Sequence, residues 1–148
     1  MKMRTLFKML LICGLASFML VGCGLTGKYS RATFEGEAIH FDYDKYALRP
    51  EAKPILDYKI AYLKHFPGQK ILIVGHCDAR ADDEYNIRLG RLRAEEAKRY
   101  LVEGGINANR IEIMTEGKRD PKAAGASSSS FAENRRAEFF ITAINNAS

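Results

Sequence analysis

Apolar residues recur along the chain with two different spacings, and the two spacings alternate. Over 49–66 and again over 84–103 they recur every three or four residues, which is the pattern of an amphipathic helix. Short apolar runs of strand length occupy four other segments, at 38–41, 70–74, 110–114 and 137–144. From residue 38 onward the pattern therefore predicts the element order β-α-β-α-β-β.

The first predicted helix has limits that the sequence marks. The face defined by its spacing consists of Ala52, Ile55, Leu56, Lys59, Ile60 and Leu63. Pro50 suits a first turn, where a backbone N–H has no partner, whereas Pro54 suits a helix interior badly. We therefore expect the helix to begin within 51–53 or to have a bent first turn. Pro67 and Gly68 end it.

The second predicted helix is the longest element. It is expected to turn five residues toward the core, namely Leu89, Leu92, Ala97, Tyr100 and Leu101, and Gly104-Gly105 ends it. The run 70–74 is continuously apolar after its lysine, which is typical of a central strand. A loop at 117–133, with a short helical turn near Phe131, precedes the last strand.

These elements define a fold class. Strands that are joined by a helix and lie side by side are usually parallel, with a right-handed crossover. The order β-α-β-α-β-β therefore predicts an α/β chain of the α+β type. It is a two-layer sandwich with a mixed sheet and two main helices on one face.

The first 22 residues are expected to be removed. Lys2, Arg4 and Lys8 precede an uncharged apolar run that is too short to span a bilayer comfortably, which indicates a secretory signal. The run ends Leu-Val-Gly-Cys, and this resembles the lipobox of bacterial lipoproteins. The resemblance implies cleavage before Cys23, acylation of Cys23, and, because Gly24 rather than Asp follows, an outer-membrane location.

Loss of the signal changes the charge and cysteine arguments. Three of the 23 basic residues and none of the 18 acidic residues lie in 1–22, so the remainder carries a net charge of +2. A charge this small gives no reason to expect nucleic-acid binding. Cys77 is then the one cysteine without an assigned fate, so no internal disulfide is expected. We divide the rest into a lipidated cysteine and tether, 23–35, and a folded domain, 36–148.

Three polar stretches stand out in this domain. They are Ile39-His40-Phe41-Asp42-Tyr43-Asp44-Lys45-Tyr46, then Gly75-His76-Cys77-Asp78-Ala79-Arg80 continuing to Ala94, then Asn134-Arg135-Arg136. In this order and spacing they resemble the OmpA-like peptidoglycan-binding domain family, and within it the peptidoglycan-associated lipoproteins. The resemblance covers about residues 37–143.

The resemblance implies a ligand, the meso-diaminopimelate of uncrosslinked peptide stems. Its free end carries an ammonium and a carboxylate on one carbon. By the resemblance, Asp78 accepts hydrogen bonds from the ammonium, and Arg93 binds the carboxylate with its planar fork. Further contact positions of the family fall on Tyr43, Asp44, Arg80 and Asn86, and Leu89 is expected to pack beneath the ligand. Independently, Asp78 follows the central strand, at the edge where ligands of α/β sheets bind.

Structural roles compete with this interpretation. Asp78 alone would also suit a turn, Arg93 a solvated helix surface, and Asn86 a helix cap. For the stretch 134–136 we favour a structural role that fixes the last strand. Tyr46 and Tyr85 are interpreted as packing residues.

One position departs from the family pattern. Ala81 stands where the family often has glycine, which would cost about 1 kcal/mol if the loop required a positive φ. Asp82 and Asp83 make the same loop more acidic than in many relatives. Both differences bear on affinity.

The resemblance also implies partners. It predicts an outer-membrane lipoprotein that binds peptidoglycan and the periplasmic propeller protein TolB with other Tol proteins, in envelope integrity and cell division. The alternative is a wall-binding or protein-interaction lipoprotein outside the Tol system.

A second alternative is a metal or thiol enzyme built on His76-Cys77-Asp78. Contiguous strand residues alternate in direction and make a poor metal site, and the spaced ligand pairs of structural zinc sites are missing. We therefore predict no catalysis, no cofactor and no metal.

Overall fold

The computed structural model of the chain describes residues 27–144. Its elements in chain order are α1 (Arg31–Gly36), β1 (Ile39–His40), α2 (Ala52–His65), β2 (Gln69–His76), α3 (Asp83–Glu103), a 3-10 turn (Ala108–Arg110), β3 (Ile111–Gly117), α4 (Ser128–Asn134) and β4 (Arg136–Ile144). The predicted order β-α-β-α-β-β is confirmed, α4 lies at the helical turn predicted near Phe131, and α1 is an additional short helix.

The four strands form one mixed sheet in the order β1-β4-β2-β3. The predicted central strand, β2, pairs in parallel with β3 and antiparallel with β4, and β1 pairs antiparallel with β4. The helix-linked strands β1 and β2 are therefore not neighbours, because β4 lies between them. The mixed sheet and the two-layer architecture agree with the predicted fold class.

The core lies between the sheet and the two long helices. Alternate residues of β2 and β4 face the helices, among them Ile71, Ile73, Ala137, Phe139 and Ile141. Leu56 and Leu63 of α2 and Ala94, Ala97 and Leu101 of α3 cover them. Each fully buried leucine or phenylalanine contributes about 1.5–3 kcal/mol relative to an exposed one. This layer fixes the faces from which the polar residues project.

A contact between two glycines sets the position of α3. A Cβ atom built on Gly75 of β2 would lie 1.8 Å from the carbonyl oxygen of Gly90, and one built on Gly90 would lie 2.3 Å from Oγ1 of Thr115. Real side chains do not approach so closely, so both positions require glycine. The contact brings α3 close to the carboxyl end of β2, where the polar motif begins.

The predicted tether is partly wrong. Residues 31–36 form α1, and Phe34 is fully buried against the rings of Tyr62 and Phe139. The buried ammonium of Lys59 donates to the carbonyl oxygen of Phe34, and it lies 4.3 Å from the ring centroid of Phe139. The sequence of 24–35 did not predict this helix, because a single large apolar residue, Phe34, provides its contact with the core.

The two long helices agree with the predictions in one detail and differ in another. α2 begins at Ala52, within the predicted interval, and Pro54 falls in its first turn, where an N–H would have no intrahelical partner. Leu92, which was predicted to face inward, is 40% exposed. The core face of α3 instead follows Leu89, Gly90, Ala94 and Ala97, so Leu92 lies outside it.

The signal segment 1–22 and Cys23 lie outside the described residues. Within 27–144, no helix combines the length and the hydropathy that crossing a membrane would require.

Candidate functional site

A small polar pocket lies at the carboxyl end of β2, beside the first turns of α3. Its lining consists of Tyr43, Asp44, Cys77, Asp78, Ala81, Tyr85, Asn86, Leu89 and Arg93. The volume is about 30 Å³, which is the room of about one water molecule. Six of the seven residues that sequence analysis assigned to the ligand line this pocket, and the seventh, Arg80, lies beside it.

The carboxylate of Asp78 is buried and is held by two arginines. Nη2 of Arg80 lies 2.6 Å from Oδ2, and Nε of Arg80 lies 3.1 Å from Oδ1. Nη1 of Arg135 lies 3.3 Å from Oδ2. Burial disfavours the charged carboxylate, but the hydrogen bonds from Arg80 and Arg135 outweigh it and lower the pKa of Asp78. Asp78 is therefore an anion whose two oxygens are already occupied.

Arg80 itself is held from both sides by aromatic rings. Its guanidinium carbon lies 3.9 Å from the ring centroid of Tyr43 and 4.5 Å from that of Phe131. Stacking of this kind suits the flat guanidinium group. The side chain is partly exposed and lies beside the pocket, between Asp78 and the two rings.

Arg93 does not present the free guanidinium fork that sequence analysis expected. It is fully buried, and it donates to the carbonyl oxygens of Asp42, Lys45 and His76 and to Sγ of Cys77. A guanidinium has five N–H groups, so one remains. The free fork expected for a carboxylate is therefore absent, because the site needs it to join the loop after β1 to the end of β2.

The buried guanidinium of Arg93 nevertheless has no direct ion-pair partner within residues 27–144. Among the described residues, no carboxylate lies within 4.0 Å of it, and Arg93 forms none of the ion pairs. Burial lowers the pKa of its guanidinium, which reflects the cost of the charge at this depth. A buried cation at the base of a pocket attracts an anion.

The loop after β1 supplies the opposite wall. Asp44 has a φ of 57°, the one positive φ of a non-glycine residue in the described chain. The hydroxyl of Tyr85 donates to Oδ1 of Asp44, across 41 positions of sequence. Tyr85 was interpreted as a packing residue, but it lines the pocket and positions Asp44. Tyr46, also interpreted as packing, is largely exposed.

The start of α3 explains the role of its polar residues. Asp82 caps the helix by accepting from the backbone N–H of Tyr85 at 2.8 Å. Nδ2 of Asn86 donates to the carbonyl oxygen of Ala81 at 3.0 Å. Asn86 thus holds the loop as well as lining the pocket. Ala81 does not have a positive φ, so the penalty considered for a missing glycine does not arise.

Cys77 is a structural thiol. It is buried, its Sγ donates to the carbonyl oxygen of Asn86, and burial raises the pKa of the thiol to about 11. His76, its neighbour, contacts Glu138 on the other face of the sheet. The two side chains are therefore separated, and the local geometry gives no support to a Cys–His nucleophile.

The stretch 134–136 has three different roles. Asn134 exchanges two hydrogen bonds with the backbone of Ala123 and fixes the preceding loop, as a structural role predicts. Arg136 binds Glu138 on the other face of the sheet. Arg135 donates to the carbonyl oxygen of Phe41 and reaches Asp78, so it belongs to the site. Sequence analysis placed Arg135 in a motif but favoured a structural role for the whole stretch, so its contact with Asp78 was not predicted.

Taken together, the pocket brings carboxylates and guanidinium groups within one small volume. Asp44 and Asp78 supply the anions, and Arg80, Arg93 and Arg135 supply the cations. Leu89 and Tyr43 supply apolar surface. Such a site suits a small ligand that carries both an ammonium and a carboxylate.

Comparison with known proteins identifies relatives of the chain. The model of the OmpA family matches residues 40–135. The peptidoglycan-associated lipoprotein of Pasteurella multocida is 33% identical over 147 residues, which is 91% of this chain and 97% of that protein. That of Haemophilus influenzae is 36% identical over 113 residues, 75% of this chain and 74% of that protein.

A solved structure of a related protein has a similar fold. The crystal structure of the peptidoglycan-associated lipoprotein from Burkholderia pseudomallei superposes with a TM-score of 0.69 at 36% identity, and the match covers 71% of this chain and 89% of that chain. The family model spans well over half of the chain, and the similarity to the Pasteurella protein extends over nearly its whole length. The chain therefore belongs to the OmpA family and, within it, to the peptidoglycan-associated lipoproteins.

Proposed function

We propose that this protein is an outer-membrane lipoprotein that binds peptidoglycan without covalent attachment and so tethers the outer membrane to the cell wall. The ligand is the free end of meso-diaminopimelate in the peptide stems. The observation that carries the proposal is the pocket that combines the Asp78 carboxylate with the buried guanidinium of Arg93, which has no direct ion-pair partner among the described residues.

The ammonium of the ligand binds Asp78. Since Arg80 occupies both carboxylate oxygens, it must move aside before the ammonium can enter. The exchange replaces one charge-assisted pair by another, so its net cost is small. The cavity of about 30 Å³ holds about one water molecule, so the pocket must also open for the amino acid to enter.

The carboxylate of the ligand neutralises the cations at the base of the pocket. Arg93 offers its remaining N–H and its buried charge, and Arg80, once released from Asp78, offers a complete fork. Arg93 thus acts mainly by building the pocket, and Arg80 by exchanging its partner. Leu89 and Tyr43 contact the methylene chain of the ligand.

The remaining features of the proposal follow from the family. Residues 1–22 form the signal, Cys23 carries the lipid, and the folded domain faces the periplasm. The domain acts by binding and does no chemistry, which agrees with the buried, unreactive thiol of Cys77. TolB and the other Tol proteins are the proposed partners in envelope integrity and cell division; a role outside the Tol system is the alternative.

Pull-down by purified sacculi tests the ligand. Asp78→Ala should abolish retention of the folded protein, whereas Asp83→Asn, an exposed acid of the same loop that does not line the pocket, should retain it. Peptidoglycan with lysine in place of diaminopimelate lacks the free carboxylate, so retention should fall there too. Full retention of the Asp78 variant, or equal retention on both walls, would contradict the assignment.

Membrane fractionation tests the anchor. Cys23→Ser should release the protein from membranes into the soluble periplasmic fraction, because the acyl chains provide the attachment. Cys77→Ser is the matched control and should stay with the membranes. Continued membrane association of the Cys23 variant would exclude the lipid anchor.

A further inference from the structure

A second polar cluster lies on the face of the sheet opposite the pocket. Its centre is His76, the last residue of β2, whose side chain is 1% exposed. Within the described chain, neither ring nitrogen has a hydrogen-bond partner. Burial lowers the pKa of the imidazole. A buried ring with neither nitrogen in a hydrogen bond is unusual, since most buried polar side-chain atoms have a partner.

Two carboxylates face this imidazole. Nε2 of His76 lies 3.3 Å from Oε2 of Glu138, and ligand atoms of His76, Glu138 and Asp120 all lie within 4.8 Å of one another. Zinc binds nitrogen and oxygen at about 2.0–2.2 Å in a tetrahedron, whose ligand atoms are then about 3.4 Å apart. The His76–Glu138 separation therefore matches one edge of such a tetrahedron. Asp120 lies in the loop after β3, and its side chain is 67% exposed.

Arg136 holds the two carboxylates in place. Its Nε donates to Oε1 of Glu138 at 2.8 Å, and its Nη2 lies 3.7 Å from Oδ2 of Asp120. Because Arg136 binds Oε1, the other carboxylate oxygen of Glu138, Oε2, faces His76. Hydrogen bonds of this kind commonly orient the carboxylates that bind a metal. The charge of Glu116 also acts electrostatically on His76, and that of Lys122 on Glu138. With three acidic and two basic side chains, its net charge is −1, which favours a cation.

We propose that His76, Glu138 and Asp120 bind one divalent transition-metal ion, with zinc as the reference ion. An imidazole with two carboxylates suits zinc and its neighbours better than calcium or magnesium, which prefer oxygen ligands alone. Solvent supplies the fourth ligand beside the exposed Asp120. The ion fastens the loop that contains Asp120 to β2 and β4. This departs from the expectation of no metal, and it does not involve Cys77 or the pocket.

Zinc titration of the full-length chain in detergent micelles, without a histidine tag, tests the proposal. Equilibrium dialysis with metal analysis should find one zinc ion per chain. Asp120→Asn, at an exposed position, should weaken binding by at least about tenfold, since loss of even a supporting residue costs that much. Glu138→Gln should weaken it further. Zinc should raise the melting temperature of the wild type and not that of the Glu138 variant.

Two matched controls separate this site from surface binding. Glu112→Gln removes an exposed carboxylate of β3, and His65→Gln removes an exposed histidine; both should bind zinc as the wild type does. If Glu138→Gln does not fold, as circular dichroism will show, the Asp120 variant decides. The proposal is overturned if zinc does not bind stoichiometrically, if Asp120→Asn binds with unchanged affinity, or if His65→Gln abolishes binding.

Discussion

Arg80 covers the carboxylate of Asp78, with its Nη2 2.6 Å from Oδ2 and its Nε 3.1 Å from Oδ1. The residue that is to hold the ligand's ammonium therefore already holds a cation of the protein. Stacking on Tyr43 and Phe131 keeps Arg80 there. Arg80 therefore occupies the place at Asp78 that the ammonium of the ligand would take, and ligand binding exchanges one ion pair for another.

The exchange makes the effect of Arg80→Ala small. The variant loses a contact to the ligand's carboxylate, but it also frees Asp78 from competition. Since a partly exposed ion pair is worth about 0–1 kcal/mol, we expect the dissociation constant to stay within about fivefold of the wild type, with faster association. Stopped-flow and equilibrium binding of a diaminopimelate-containing peptide measure both. A loss as large as that of Asp78→Ala would show that Arg80 is the principal ligand residue.

Arg93→Lys should damage the pocket although it keeps the charge. A lysine ammonium is a compact point charge and cannot reach Asp42, Lys45 and His76 together. Several buried carbonyl groups lose their donor, so unfolding free energy should fall by about 2–4 kcal/mol, and peptide binding should be lost. Urea denaturation measures the first effect. The matched control is Arg91→Lys, on the exposed face of the same helix, where wild-type stability is expected.

Gly75→Ala should separate α3 from the sheet. The added Cβ would meet the carbonyl oxygen of Gly90 at 1.8 Å, which no rotamer relieves. We expect a loss of about 3 kcal/mol or more in the free energy of unfolding, at the upper end of overpacking costs. Gly36→Ala, where nothing lies within 4 Å of the new atom, is the control. Equal melting temperatures for the two variants would contradict the close packing.

Because Lys59 is buried, the free energy of unfolding should rise with pH. Burial lowers the pKa of its ammonium to about 8, from 10.5 for an exposed lysine, so between these values the unfolded chain binds more protons than the folded one. The free energy of unfolding should therefore increase, by about 1.5 kcal/mol between pH 8 and 9.5. Urea titrations at a series of pH values measure it. Lys59→Met should remove this rise, and Lys64→Met, at an exposed position of the same helix, should keep it.

The order of elements was predictable because hydrophobic periodicity reports which face of an element is buried. The helical spacing of apolar residues over 49–66 and 84–103 predicted α2 and α3, and the apolar run at 70–74 predicted the central strand, β2. The helix α1 was not predictable in this way. It is six residues long and docks through Phe34 onto Tyr62, Phe139 and the buried Lys59, so it is too short to show a hydrophobic period.

The site was predictable in its residues and not in their partners. The motif around Asp78 located the pocket, since the end of a central strand and the start of the next helix meet in any such fold. Whether a guanidinium binds a ligand or a backbone carbonyl depends on contacts between distant segments. Arg93 contacts Lys45, 48 positions away, and Arg135 contacts Asp78, 57 positions away. Spacing along the chain contains no information about either pair.

The central claim is that the ligand's two charged groups bind in the pocket of Asp78, and calorimetric titration of the protein with free meso-diaminopimelate tests it most directly. We predict saturable binding that Asp78→Asn abolishes and Asp83→Asn preserves, with 1,5-diaminopentane, which keeps the two ammonium groups and lacks both carboxylates, failing to compete. Binding of meso-diaminopimelate to the Asp78→Asn variant with wild-type affinity would contradict the account.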